Sequence, residues 1–168
     1  FLATARHGGD RKALTVLRSP DAADVGASFT HSELLAEVTR AANMFRALGL
    51  EPGKGVAAFL APTLPELPAL LLGAQVAGVA SALNYLLSRE AILDLLDAEA
   101  ATILVIPARH LDATCWDKAE GAMRHVPSLR YVVVIGGDDD AVTGTTGLGR
   151  LLAGQGGDAL AFAPSSDR

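Results

Sequence analysis

Val56-Ala57-Ala58-Phe59-Leu60-Ala61 is an unbroken apolar run. A strand that is apolar at every position is covered on both faces, the usual state of a parallel sheet. The run follows a tight turn, Glu51-Pro52-Gly53-Lys54, whose proline and glycine suit a reversal. It is followed by Thr63-Leu64-Pro65-Glu66, which reads as a capping box opening a helix to about Ala77, with Gly78 as its stop.

The same pattern repeats downstream. Residues 79–83 read as a second buried strand. Ser88 caps a helix with Ile92, Leu93, Leu95 and Leu96 on its inner side. Residues 102–106 form a third strand, residues 113–125 one helix carrying Trp116, Ala119 and Met123, and residues 131–135 a fourth strand ending at Gly136-Gly137. Upstream, Thr30-His31-Ser32-Glu33 is a capping box, and Leu34, Val38, Ala41, Phe45 and Leu48 recur at helical spacing before Gly49. Strand–helix alternation with short connections predicts a doubly wound, mostly parallel α/β sheet with helices on both faces.

The rest of the chain is less regular. Residues 1–26 are a weakly patterned lead-in with a short strand at 13–17 and a turn at Ser19-Pro20-Asp21; residues 27–136 hold the α/β core, opening on a short extended piece at 27–29. Residues 137–168 read as a loop-rich tail around one short apolar helix at 148–153.

Composition narrows the function classes. The chain has 168 residues, 50% of them hydrophobic, and a net charge of −5. Its apolar content excludes a disordered chain, and its acidity argues against a nucleic-acid partner. One cysteine, Cys115, excludes an internal disulfide framework and fits a reducing compartment. Residues 67–88 are uncharged and long enough to span a bilayer. Their prolines, glycines and change of period read instead as a buried helix followed by a buried strand, so no transmembrane segment is expected. Phe1-Leu2-Ala3-Thr4 shows no basic region followed by an apolar one, so no signal peptide is expected. A cytoplasmic location follows as an expectation.

Gly144-Thr145-Thr146-Gly147 looks like part of a phosphate loop, but an acidic stretch precedes it and Leu148-Gly149-Arg150 follows where a lysine is wanted. A surface loop is the expected reading. Asp138-Asp139-Asp140 reads as solvated carboxylates rather than a cation site. The histidines His7, His31, His110 and His125 lack metal-ligand spacing, and Cys115 is expected to face the core. A receiver domain would need an aspartate where Pro107-Ala108 ends the third strand. A dinucleotide fold would need glycines where Ala61-Pro62-Thr63-Leu64-Pro65 stands.

The ordered blocks carry a family resemblance. Phe29-Thr30-His31-Ser32-Glu33-Leu34, Ala41-Ala42-Asn43, Leu48-Gly49-Leu50-Glu51-Pro52-Gly53-Lys54, Leu64-Pro65-Glu66, Ala77-Gly78-Val79-Ala80 and Arg130-Tyr131-Val132-Val133-Val134-Ile135 together resemble the opening of acyl-CoA synthetases. These belong to the AMP-binding, adenylate-forming superfamily. The resemblance implies that residues 1–168 are the N-terminal subdomain of an AMP-binding domain, with the remainder of the same polypeptide as partner. It implies a whole enzyme that uses ATP and Mg²⁺ to convert a fatty or other apolar carboxylic acid to an acyl-adenylate. Coenzyme A then takes the acyl group. The family's Pro-Lys-containing phosphate loop and catalytic lysine have no counterpart in the sequence, so no catalytic residue is assigned and the chain alone is expected to be inactive. The segments the family places beside coenzyme A map to Asn84, Tyr85 and Leu86 and to Arg109. Tyr85 stands where the family often has proline. Exposed apolar surface, or a homodimer burying it, is a further expectation. The alternative is a free-standing α/β binding or interaction domain without catalysis.

Overall fold

The computed structural model describes residues 8–137 and 145–163. Strands β1 (Lys12–Leu17) and β2 (Val25–Thr30) pair antiparallel as a separate ribbon. Helix α1 (His31–Ala47) follows directly. Then come β3 (Val56–Phe59), α2 (Leu67–Ala77), β4 (Val79–Ala82), α3 (Arg89–Ala98), β5 (Ala101–Pro107), α4 (Ala113–Ala119), α5 (Ala122–His125) and β6 (Tyr131–Ile135). Beyond the segment outside the description lie β7 (Thr145–Gly147) and α6 (Leu148–Ala153).

The main sheet runs β4-β3-β5-β6-β7, and every neighbouring pair is parallel. The doubly wound architecture expected from the apolar runs is therefore present. Strand β5 shows why those runs were continuous. Ile103 and Val105 pack into the cluster holding Met44, Phe45, Leu70 and Ala74 of α1 and α2. Leu104 and Ile106 pack into the opposite cluster, with Ile92 and Leu96 of α3 and Cys115 and Trp116 of α4. Side chains alternate across the sheet, and both faces are apolar because both are covered. Each such burial contributes about 1.5–3 kcal/mol.

The first capping box forms as read. The Glu33 N–H donates to Thr30 Oγ1 at 3.2 Å, and the Thr30 N–H donates to Glu33 Oε2 at 2.8 Å. These two bonds hold the Glu33 carboxyl below its ordinary range, the Thr30 backbone bond first and its side chain second. A depressed folded pKa means the contribution is complete above the ordinary glutamate range and is lost as pH falls through the folded value. Thr30→Ala should cost about 1 kcal/mol in urea unfolding at neutral pH. The stability gap between the native chain and Glu33→Ala should close on acidification; a gap constant down to strongly acidic pH would contradict the assignment.

The second box does not form. Helix α2 starts at Leu67, with Glu66 as N-cap and no side-chain cap. Proline explains the shift. Started at Leu64, the helix would carry Pro68 in its interior, where the ring meets the carbonyl four residues back. Started at Leu67, it carries Pro68 in the first turn, where no N–H is needed.

Three other expectations are corrected. The single helix over 113–125 is broken into α4 and α5 at Gly121, whose φ is 72°. The left-handed step turns the chain so that Ala122, Val126 and Leu129 reach the core, and it leaves Met123 exposed. Leu95 points outward at 43% exposure, because the Ile92–Leu96 line already occupies the inner side of α3. Thr145–Gly147 is no surface loop: it is β7, paired with β6 from Val132↔Thr145 to Val134↔Gly147. Asp138-Asp139-Asp140, Gly144 and His7 lie outside the described residues. Among those described, no helix is long and apolar enough to cross a membrane.

After α6 the chain returns to α1. Asn43, 4% exposed, donates through Nδ2 to the carbonyls of Gly156 and Ala159, both at 2.9 Å, and accepts the Ala161 N–H at 2.8 Å. The Arg46 guanidinium lies 4.2 Å over the Phe162 ring.

Candidate functional site

Open parallel sheets place ligands at the carboxyl ends of strands, where the strand order reverses. Here β3 leads through α2 to β4 on one side, while β5 leads through α4 and α5 to β6 on the other. The carboxyl ends of β3, β4 and β5 therefore share one rim. The four residues singled out in the sequence fall on it, Asn84, Tyr85 and Leu86 just past β4 and Arg109 just past β5.

The loop after β4 is shaped by its own asparagine. Asn84 Oδ1 accepts the Leu86 N–H at 3.0 Å, and its carbonyl accepts the Leu87 N–H at 3.1 Å. This is the local turn that asparagine side chains favour. It pushes Leu86 out to 76% exposure, the most exposed large apolar side chain among the described residues. Ser88 then caps α3 by accepting the Ala91 N–H.

The loop after β5 is equally local. The Ala108 carbonyl accepts the N–H groups of Leu111 and Asp112, and Asp112 Oδ1 caps α4 by accepting the Cys115 N–H at 2.7 Å. Arg109 projects from this turn and pairs with Asp117 Oδ1 at 3.1 Å, both side chains being more than half exposed.

Helix α4 joins the two loops. Lys118 Nζ donates to the Tyr85 carbonyl at 2.6 Å, while its neighbour Asp117 holds Arg109. Arg89, at the start of α3, donates to the Glu120 carbonyl at 2.8 Å. Consecutive residues of one helix thus fasten both rim loops. The sequence reading missed Asp117 and Lys118. Nothing in their spacing marks them, since their partners lie on loops that only the fold brings together.

Among the described residues, the remaining candidates do not assemble into a metal centre. Cys115 is fully buried, as expected, and its thiol is pushed up to about 11, mainly by burial and then by the Asp112 charge. Burial and the raised thiol both disfavour the thiolate, the reactive form of a cysteine. Among the described residues, no group of three or more His, Cys, Asp or Glu side chains is placed to hold a metal ion.

Comparison with known proteins adds an independent finding. A family model described as AMP-binding enzyme matches residues 1–149. Marinolic acid–CoA ligase of Pseudoalteromonas sp. (strain SANK 73390) is 30% identical over 136 residues, 81% of this chain and 20% of that protein. Acetyl-coenzyme A synthetase of Rubrobacter xylanophilus is 30% identical over 139 residues, 80% of this chain and 21% of that protein. The chain thus spans about a fifth of the length of these curated relatives. Among solved structures, the anthranilate CoA ligase AuaEII in complex with anthranoyl-AMP superposes with a TM-score of 0.73 at 20% identity. That match covers 95% of this chain and 29% of that one. An acyl-CoA synthetase of Brucella canis gives 0.72 at 21% identity, over 95% and 27% of the two chains. These two superpositions speak for the fold.

Proposed function

Because the chain belongs to the AMP-binding enzyme family, we propose that it is the N-terminal α/β unit of a ligase that joins a carboxylic acid to coenzyme A. In that reading the whole enzyme couples a fatty or other apolar acid to ATP, releasing pyrophosphate, and the coenzyme A thiol then displaces AMP from the acyl-adenylate. Two relatives named as CoA-dependent enzymes support it. Of the stretch that resembled a phosphate loop, Thr145–Gly147 is paired into the sheet as β7, and the proposal puts no ATP phosphate there. No step of ATP or Mg²⁺ chemistry is therefore assigned to them.

Their proposed part is to hold coenzyme A, on Asn84, Tyr85, Leu86 and Arg109. The observation that carries this is the fastening of both rim loops to consecutive residues of α4. It fixes the loop backbones while leaving the Leu86 side chain and the Arg109 guanidinium facing solvent. Arg109 can leave Asp117 for a phosphate at small cost, since an exposed ion pair is worth about 0–1 kcal/mol, whereas a guanidinium–phosphate fork gives paired, charge-assisted bonds.

Calorimetric titration of the chain with coenzyme A tests the proposal. Saturable binding is expected, weakened about tenfold by Arg109→Ala, while dephospho-coenzyme A and free adenosine show which phosphate the arginine reads. The chain alone should not exchange pyrophosphate into ATP with any carboxylate. Binding unaffected by Arg109→Ala would sink the site assignment, and exchange by the chain alone would sink the division of labour.

A further inference from the structure

The Tyr85 carbonyl and the Leu86 N–H belong to one peptide unit, a rigid plane that turns only as a whole. Each end of that plane has its own partner. Lys118 of α4 donates from Nζ to the carbonyl at 2.6 Å, and the N–H donates to Asn84 Oδ1 at 3.0 Å. The two partners differ in kind. Asn84 is next in sequence and makes a turn that asparagine side chains favour. Lys118 stands 33 positions away and is brought there by the fold.

The flanks of this loop are set by packing. Leu83 is buried in the cluster that holds Ile92 and Leu96 of α3 and Trp116 of α4, and Leu87 packs against the same cluster. Tyr85 and Leu86 between them are exposed, so burial does not hold the intervening peptide. With both flanks fixed, that plane can turn over by opposite changes in ψ of Tyr85 and φ of Leu86. The carbonyl would then face away from Lys118, and the N–H away from Asn84. The loop is a two-state element, and hydrogen bonds select its state.

We propose that Lys118 is a positioning residue for the loop after β4: it holds the Tyr85–Leu86 peptide in one orientation, with the carbonyl committed to α4, and so presents residues 84–86 to coenzyme A already ordered. The role rests on the proposed coenzyme A site, but its geometry is separate, the grip on both ends of one peptide. A bond from a charged donor is stronger than a neutral one. Without the ammonium, the local Asn84 turn alone selects the orientation. A ligand that binds one orientation is then weakened in proportion to the fraction of chains that hold it.

Lys118→Met keeps the hydrocarbon stem of a half-buried side chain and removes the donor, so the fold should be retained, as checked by an unchanged circular dichroism spectrum. Lys118→Arg restores a charged donor. In the ligand-free chain, amide exchange at Leu86, followed by NMR, should quicken at least about threefold in Lys118→Met and return toward the native rate in Lys118→Arg. Exchange at Leu111 and Asp112, whose N–H groups bond the Ala108 carbonyl in the other rim loop, should stay as in the native chain. Calorimetric affinity for coenzyme A should fall about threefold in Lys118→Met and recover in Lys118→Arg. The proposal is overturned by unchanged Leu86 exchange in Lys118→Met, or by equal quickening at Leu111 and Asp112, which would mean that α4 as a whole has loosened. It is also overturned by weaker coenzyme A binding without faster Leu86 exchange, which would make Lys118 a direct contact of the ligand. A native chain that binds no coenzyme A would sink the coenzyme A reading instead, and the Leu86 exchange decides the hold of Lys118 on the peptide in either case.

Discussion

Asn43→Ala should lower the unfolding free energy by about 2–4 kcal/mol, among the largest losses expected from a single polar side chain in this protein. Asn43 is nearly fully buried and makes three hydrogen bonds, two donated and one accepted, all to the backbone of residues 156–161. Each bond is worth about 1 kcal/mol net, and carbonyls left facing a void cost more than that. Alanine leaves the Gly156 and Ala159 carbonyls without the amide that pairs them. Asn43→Asp should be nearly as damaging. A carboxylate can still accept from Ala161, but it turns acceptors toward two carbonyls where the amide supplied a donor. Urea unfolding gives the loss, and hydrogen exchange at Ala161 locates it. If both variants stay within 0.5 kcal/mol (about the usual effect of a neutral surface change), the clamp has no energetic role.

Gly73→Val should cost about 3 kcal/mol, and Gly73→Ala about 1–2 kcal/mol, by overpacking the crossing of α1 and α2. A β-carbon on Gly73 would stand 2.6 Å from Ala41 Cβ, 2.8 Å from the Ala42 nitrogen and 3.0 Å from the Ala41 carbonyl carbon. Two of these are backbone atoms of a helix packed on the sheet, so they cannot swing aside as a side-chain tip would. Alanine recovers about 1 kcal/mol of helix propensity, which offsets only part of the strain. Valine adds γ-carbons and loses χ1 freedom. Thermal unfolding measures both. A Gly73→Ala chain as stable as the parent or more so would show that α1 and α2 separate freely and that the close crossing is unimportant.

The core was readable from sequence wherever one interaction dominated. Strands 56–59 and 101–107 have apolar side chains on both faces, so any other placement would expose them. The Thr30–Glu33 box is complete within one helical turn and forms as its residues dictate. Reading failed where two local signals competed. Thr63 and Glu66 have capping-box spacing, but Pro68 forbids the helix that would use it. Ala113 to His125 has apolar residues at helical spacing, yet Gly121 lets the chain turn and bury Ala122 and Val126 more fully. Thr145-Thr146-Gly147 is too short to declare a strand. It becomes one because β6 offers it a free edge.

The candidate rim divides in the same way. Its positions at strand ends followed from the alternation of elements, and the family resemblance pointed to Asn84, Tyr85, Leu86 and Arg109. The fastening of those residues did not follow. Lys118 meets the Tyr85 carbonyl across 33 positions of sequence, and Asn43 meets Ala161 across 118. By itself the sequence determined which segments are strands and helices over most of the chain, and that the sheet is covered on both sides, because periodicity and capping act over a few residues. Only the tertiary structure decided the strand order, the break at Gly121, the clamp on Asn43 and the helix that ties the rim loops. Those depend on contacts between distant segments, whose distances no local spacing encodes.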